Sequence, residues 1–339
     1  MTSSDFIESI YKKVGESDYN QDVAGWLSTG FLPLDYAISG KYQGGGLPMG
    51  RISEIFGPES SGKTLLATMA MIQTQRLGGL AVFLDFEHAF AIRRAVQLGL
   101  GTDKNLWLYK QPDTAEEGFQ IVDYIGEMVV KNGIEKPVTI VKDSVASMIT
   151  QSEMDTGIGD ENMKTRLSLA SCMSTNLKKL AKIVNKTNIT LIFLNQTREN
   201  PGVMFGEKTT TPGGNALRFY ASMRAKLRKT GKVKDEDTGA IIGEKVSVQI
   251  VKNKVFEPFR EADYISVFKE GINLHRSHLD SLAARGLLGS TKGYLEFEGK
   301  KWRAGALEKM LREDNDAYQR LLGLFNDAPE PVKFAVDEE

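Results

Sequence analysis

The chain contains one cysteine, Cys172, so no internal disulfide can brace it, and a reducing compartment such as the cytoplasm is the expected location. Only three histidines occur, His88, His275 and His278, and none stands at metal-ligand spacing from a cysteine or a carboxylate. A cage of protein ligands around zinc or iron is therefore not expected. No apolar run approaches the ~20 residues of a membrane span. Met1 to Gly15 is polar and mixed, without the apolar core of a secretory signal. Charge of one sign is not in excess either, because the formal net charge is −1. A contact with a polyanion would have to come from basic residues gathered locally. Internal repeats are missing. At 339 residues the chain is long enough for roughly two domains with a full core.

What the chain does have is the stretch Gly57-Pro58-Glu59-Ser60-Ser61-Gly62-Lys63-Thr64, which reads G-x-x-x-x-G-K-[ST]. A short run, Ile52 to Phe56, precedes it and can be a strand, and Leu65 to Ile72 follows as a helix. That context turns a glycine-rich octet into a phosphate cradle. Backbone N–H groups and the positive helix end hold phosphate oxygens. Lys63 reaches the terminal phosphates, and Thr64 ligates Mg²⁺. The expected ligand is a nucleoside triphosphate with Mg²⁺.

Around this loop the chain alternates. Leu80 to Asp85, Val138 to Val141 and Ile189 to Leu194 are short, continuously apolar runs, as buried strands are. Thr114-Ala115-Glu116-Glu117 reads as a capping box opening a helix to about Val130. Met163 to Asn185 reads as a long helix. Alternation of this kind predicts an α/β fold with a mostly parallel central sheet flanked by helices. From Gln196 to Asn215 the pattern lapses into a glycine- and proline-rich loop. Ala221–Arg228 and Lys245–Val251 then alternate like a hairpin, joined by the polar stretch 229–244. The expected domains are an N-terminal segment 1–28, an ATPase core 29–270, a small α+β domain 271–326 and a disordered tail 327–339. In the first segment Phe6, Ile7, Ile10, Tyr11 and Val14 give a short amphipathic helix. Its docking surface is either its own core or a neighbouring copy.

Several polar residues fall at strand ends. Asp143 ends the Val138 strand, where P-loop enzymes hold Mg²⁺; a helix N-cap is the competing reading. Lys142 interrupts the apolar run just before it, and strand alternation points Lys142 away from Asp143. Glu87, two residues beyond Asp85, is placed to accept a proton from attacking water. Gln196 ends the Ile189 strand and is placed to contact a γ-phosphate. The nearest run to a guanine-reading NKxD, Asn185-Lys186-Thr187-Asn188, lacks the aspartate, so a preference for GTP is not supported.

Gly50 to Thr64, Phe83-Leu84-Asp85-Phe86-Glu87-His88-Ala89 and Lys142 to Ala146 occur in the order found in the bacterial RecA recombinases. So do Gly202 to Gly206, Gly213 to Tyr220, and Val251-Lys252-Asn253-Lys254 with Pro258-Phe259. The chain resembles that family from about residue 28 to 275, and more weakly to about 325. The resemblance implies a RecA-type P-loop core and an ATP-dependent strand-exchange activity on a helical filament around single-stranded DNA, which pairs with a homologous duplex. It implies Glu87 as base, Asp143 as the Mg²⁺-associated acid and Gln196 as γ-phosphate sensor. Lys252 and Lys254 would reach the neighbouring subunit's ATP. Ile158 lies in the segment like the first DNA-binding loop. Arg198, Val203, Met204, Phe205, Gly213 and Gly214 lie in the second. The exposed apolar trio there suits stacking against bases. Ser174 and Lys178 fall at DNA-contacting positions of the long helix. Lys300, Lys301, Trp302 and Arg303 could gather duplex DNA or form a solvated hairpin.

Some features depart from the pattern. Ala91 and Arg94 stand where the family has an aspartate and an aromatic for adenine; an arginine can stack on a base. The N-terminal piece is shorter and the acidic tail is a stub, as expected of a phage-encoded or divergent member. A ring-forming DNA motor or helicase of the same fold is the alternative function.

Overall fold

The computed structural model of the chain describes residues 3–14, 23–157, 163–199, 209–235, 238–291 and 293–326. Ile158, Val203, Met204, Phe205 and the tail 327–339 lie outside the described residues.

Nine strands form the central sheet: β1 (Arg51–Gly57), β2 (Leu80–Asp85), β3 (Trp107–Lys110), β4 (Val138–Asp143), β5 (Ile189–Gln196), β6 (Met223–Lys234), β7 (Ile241–Asn253), β8 (Glu261–Val267) and β9 (Gly271–Ile272). Their spatial order is β9-β8-β7-β6-β1-β5-β4-β2-β3. The six strands from β6 to β3 are parallel. β7, β8 and β9 add antiparallel. The parallel strands β1, β2, β4 and β5 are buried almost throughout, which explains the mainly apolar runs of β2, β4 and β5.

Helices cover both faces. On one side α2 (Leu32–Ser39) and α3 (Lys63–Arg76) pack over Ile55, Phe83, Val141 and Leu194. On the other, α5 (Ala115–Lys131) and α7 (Met163–Val184) pack over Val82, Ile140, Leu191 and Phe193. Short helices α1 (Ser3–Val14), α4 (Ile92–Gln97), α6 (Gln151–Met154) and α8 (Ala216–Tyr220) complete the larger part. Phe6, Ile7 and Tyr11 of α1 are exposed, so the described chain does not cover that apolar face.

Two expectations about local structure need correction. Thr114 caps α5, accepting the Glu117 N–H, but Glu117 receives the N–H of Asp113 instead of closing on Thr114. The complete capping box sits at Thr150 and Glu153, opening α6. The polar stretch 229–244 is mostly strand: β6 and β7 stay paired out to Lys234 and Ile241. Pairing of β6 with β1 stops at Lys226; from Arg228 to Lys234 β6 is largely exposed and carries charge, while β7 stays paired with β8 as far as Gly243. The turn of the hairpin is held by Asp235, which accepts the N–H and hydroxyl of Thr238.

The C-terminal part holds α9 (Leu274–Ala284), strands β10 (Gly289–Thr291), β11 (Tyr294–Phe297) and β12 (Lys300–Arg303), then α10 (Ala304–Glu313) and α11 (Asn315–Gly323). The three strands form their own antiparallel sheet. Leu279, Leu307, Leu321 and Phe325 share a core there with Tyr36 and Tyr42 from the region around α2. Trp302 packs against this core, which takes its ring out of a surface-binding role; Lys300, Lys301 and Arg303 are exposed. His278 is buried, with Nδ1 hydrogen-bonded to Tyr318 at 2.8 Å. Burial, aided by His275, lowers its pKa from 6.5 to about 3. The unfolded chain therefore binds the proton first as pH falls. Stability should be full above pH 6.5 and decline as pH drops towards about 3. Denaturant melts at stepped pH should show this slope, and His278→Gln should flatten it.

Candidate functional site

The carboxyl ends of β1, β5, β4 and β2 lie side by side; β1 ends at Gly57 of the cradle, and the other three end in Gln196, Asp143 and Asp85. Parallel strands present all such ends on one edge, so residues far apart in sequence meet there. Gly57 is registered with Gln196, and Asp85 with Asp143.

The loop from Gly57 to Gly62 turns directly into α3. A side chain at Gly57 would put its Cβ 2.6 Å from the Leu227 carbonyl oxygen, so only glycine fits. Gly62 caps α3 with φ 93°, a left-handed conformation that glycine adopts without strain. Lys63 folds back on this loop. Its Nζ donates to the carbonyls of Pro58 at 2.7 Å and Gly57 at 3.2 Å. Burial pushes its pKa below the ordinary lysine value, against the pull of Asp143, Glu87 and Glu59.

Next on α3, Thr64 donates its hydroxyl to Asp143 Oδ2 at 2.8 Å. Burial pushes the Asp143 carboxyl up to about 7; the Thr64 hydrogen bond opposes this, and Glu87 and Asp85 add to it. Three carboxylates thus crowd a site with one ammonium. Hard oxygen donors short of positive charge are the donor set a divalent cation such as Mg²⁺ takes, and Thr64 and Asp143 could hold one between them.

Glu87 is presented by a turn that Asp85 builds. Asp85 accepts the N–H groups of Glu87 at 3.1 Å, Ala89 at 3.4 Å and Phe90 at 3.0 Å, and the Tyr109 hydroxyl at 2.8 Å. His88 sits in this turn with φ 54°, which gives it a structural part. Glu87 Oε1 accepts hydrogen bonds from Ser144 at 2.5 Å, from Gln196 Nε2 at 3.2 Å and from Ser147 at 3.4 Å. The structure therefore brings Lys63, Thr64, Asp143, Glu87 and Gln196 together. Ser144, Ser147 and Asp85 were not singled out from sequence. Ser144 stood inside a motif already noted, directly after Asp143, whereas nothing local marks Ser147.

Lys142 points to the opposite face from Asp143, as alternation requires. It is wholly buried, with Nζ 3.5 Å from the Phe119 ring centroid and near Phe86 and Phe193. Burial lowers its pKa to about 7.

Other predicted residues lie elsewhere. Arg94, exposed on α4, donates to the carbonyl of Phe268, just past β8. Lys252 and Lys254 sit at the carboxyl end of β7. Lys252 is registered with Arg224, and Arg224 with Glu54, the middle residue of β1, three residues before Gly57. Their strand, β7, is separated from β1 and its cradle by β6. Lys252 Nζ instead donates to the carbonyls of Arg218 at 2.6 Å and Phe219 at 3.0 Å. Lys254 lies over the Phe219 ring, which is 70% exposed. Ser174 and Lys178 are exposed on α7. Arg198, with Glu199, pairs antiparallel to Thr209–Thr210, closing the neck of the loop. Gly213 and Gly214 have φ of 87° and 72°. Cβ atoms there would lie 2.7 Å from Val145 and 3.0 Å from Ala170, so these glycines serve close packing of the loop root.

A family model for the RecA N-terminal domain matches residues 4–273. The chain belongs to the RecA family. It is 39% identical over 301 residues to Protein RecA of Borrelia hermsii, covering 89% of this chain and 80% of that protein. With Protein RecA of Geobacter sulfurreducens it shares 40% identity over 296 residues, covering 87% and 82%. With that of Syntrophus aciditrophicus it shares 39% over 311 residues, covering 91% and 85%. As a RecA family member it is a DNA-dependent P-loop ATPase that serves ATP-dependent recombination and repair. Its partners are single-stranded DNA, on which the family forms filaments, and homologous duplex. The family binds ATP and uses Mg²⁺. No helix among the described residues is long and apolar enough to cross a membrane. In this RecA family site, Ser144→Ala frees one carboxylate oxygen of Glu87 from its closest partner. Steady-state assays on single-stranded DNA should show kcat falling about tenfold, ~1.4 kcal/mol of barrier, with KM for ATP little changed.

Proposed function

We propose that the cradle and Glu87 form one half of a hydrolytic site, that Lys252 and Lys254 of the next subunit supply the other half, and that ATP acts as the clamp between subunits of a DNA-bound filament. The observation that carries this reading is the hydrogen bond from Gln196 to Glu87. It joins the carboxylate beside the cradle to the strand end from which the loop 197–215 departs.

In this reading the triphosphate takes over Lys63 from the Pro58 and Gly57 carbonyls. Loop N–H groups and the start of α3 hold the β- and γ-phosphates. Mg²⁺, held through Thr64 and Asp143, neutralises phosphate charge. Glu87 accepts the proton of the attacking water, while Ser144 and Ser147 fix its orientation. Gln196 exchanges between Glu87 and the γ-phosphate, so the loop root responds to triphosphate. Arg94 lies against the base. Lys252 and Lys254 of the neighbour stabilise charge developing on the γ-phosphate. Their engagement with the end of α8, and not with their own cradle, supports a role across an interface. The exposed Phe6, Ile7 and Tyr11 of α1 support docking of that helix on a neighbouring copy. DNA lies along the loops 155–164 and 197–215 with Ser174, Lys178 and Arg198, gripped by backbone and stacking contacts so that base edges stay free for pairing. Residues 1–28, 29–270 and 271–326 act as oligomerisation segment, ATPase core and accessory domain. The working compartment is the cytoplasm.

Two variants test the split site. Glu87→Gln should lower DNA-stimulated turnover by about 10²–10⁴ while DNA binding persists. Lys252→Ala with Lys254→Ala should also be nearly inactive. Mixed one to one, the two inactive proteins should recover about a quarter of wild-type turnover, because that share of head-to-tail interfaces pairs an intact cradle with intact lysines. A mixture no faster than its components refutes the split site. Electron microscopy of the ATP-bound protein should show helices; closed rings would favour a motor.

A further inference from the structure

Between the cradle and the two lysines the sheet contains a buried charged link. Glu54 is fully buried in β1, where a strand core is otherwise apolar. Its Oε2 accepts from Arg224 Nε at 2.5 Å, and its Oε1 accepts from Asn195 Nδ2 at 3.0 Å. Arg224, also buried, lies with Cζ 4.4 Å from the Phe56 ring centroid, one residue before the cradle. Asn195 reaches two ways. Its Nδ2 also donates to the Pro212 carbonyl at 3.1 Å, at the root of the DNA loop. Its Oδ1 accepts the Gln196 N–H at 3.0 Å. On the other flank Arg224 is registered with Lys252. Burial, Lys254 and Arg224 together lower the Lys252 pKa to about 8, and Glu54 opposes them. The carbonyls on which Lys252 rests belong to α8, which begins two residues after Gly214.

A buried ion pair is a weak source of stability, because desolvation offsets most of its attraction. Stability alone therefore does not explain a carboxylate at this position. We propose that Glu54 is a positioning residue for both halves of the ATP site: one carboxylate oxygen fixes Asn195, and through it Gln196 and the loop root, while the other fixes Arg224, which sets where Lys252 stands. Given Lys252 in the neighbour's site, as proposed above, a shift of the DNA loop root reaches the next subunit's ATP through a stiff charged contact within one sheet. The carboxylate itself touches neither nucleotide nor DNA.

The test is a pair of double-mutant cycles read by ATPase on single-stranded DNA at saturating protein assembly. Glu54→Gln keeps size and hydrogen bonding but removes the charge that holds Arg224. It should lower kcat about tenfold with KM for ATP moving less than about twofold. In Lys252→Ala and in Gln196→Ala backgrounds that effect should shrink by about threefold or more, since Glu54 acts through those residues. If E54Q leaves kcat unchanged, or if its tenfold effect is the same in both backgrounds, Glu54 is not a positioning residue. If E54Q alone fails to fold, E54Q/R224M removes both charges and takes its place in the same cycles with the same two outcomes. A Lys252→Ala variant with wild-type kcat would instead overturn the placement of Lys252 across the interface, a failure distinct from multiplicative effects.

Discussion

Three carboxylates, Asp85, Glu87 and Asp143, end up within one small volume because neighbouring parallel strands all point the same way. One ammonium, Lys63, stands among them. Like charges so arranged repel unless each is given separate work. Asp85 is surrounded by backbone N–H groups and a phenol, and becomes the scaffold of a turn. Glu87 is held by two serine hydroxyls and an amide. Asp143 has Thr64 as its side-chain partner among the described residues, and burial pushes it towards neutrality, as suits the cation-holding role proposed for it. The division of labour follows from the charge imbalance, and the imbalance follows from the sheet.

One face of that sheet handles buried charge in two ways. Beneath α5 and α7, Lys142 Nζ has rings around it and no hydrogen-bond partner among the described residues, so cation–π attraction, helped by Cys172 and Glu116, is what opposes the cost of its burial. Nearby Glu54 and Arg224 neutralise each other and are hydrogen-bonded besides. Phe193 separates the two, registered with Glu54 on one side and Lys142 on the other. One cross-strand row thus carries Lys252, Arg224, Glu54, Phe193 and Lys142. Such a row in a largely apolar sheet has to be read as specification of position, since apolar replacements would serve packing as well.

What the sequence announced was what is local. The cradle, the apolar strands and the acids at their ends are written in neighbouring letters, and so are the left-handed glycines. Lys142 could be assigned to the face away from Asp143 because strand alternation is a local rule. The aromatic cage around it could not, because Phe86, Phe119 and Phe193 come from three elements brought together only by the fold. The hairpin 223–253 was underestimated because charged residues usually mark loops, and here they mark a strand end, Arg228 to Lys234, that is largely exposed. The capping box at Thr114 failed by one hydrogen bond, as a carboxylate chose Asp113 over its own cap. Glu54, Asn195 and Arg224 carry no signature in order along the chain. Only the register of β1, β5 and β6 makes them neighbours.

Lys63 and Lys252 are both held by backbone carbonyls, Lys63 by its own loop and Lys252 by the end of α8. Each ammonium already has partners carrying partial negative charge. An incoming group must therefore offer more than a carbonyl does, and a full phosphate charge is the ordinary way to meet that threshold. Weakly charged or neutral ligands of similar shape would leave both lysines at rest. With phosphates meeting both lysines as proposed above, the carbonyls act as a charge discriminator set in the chain beforehand.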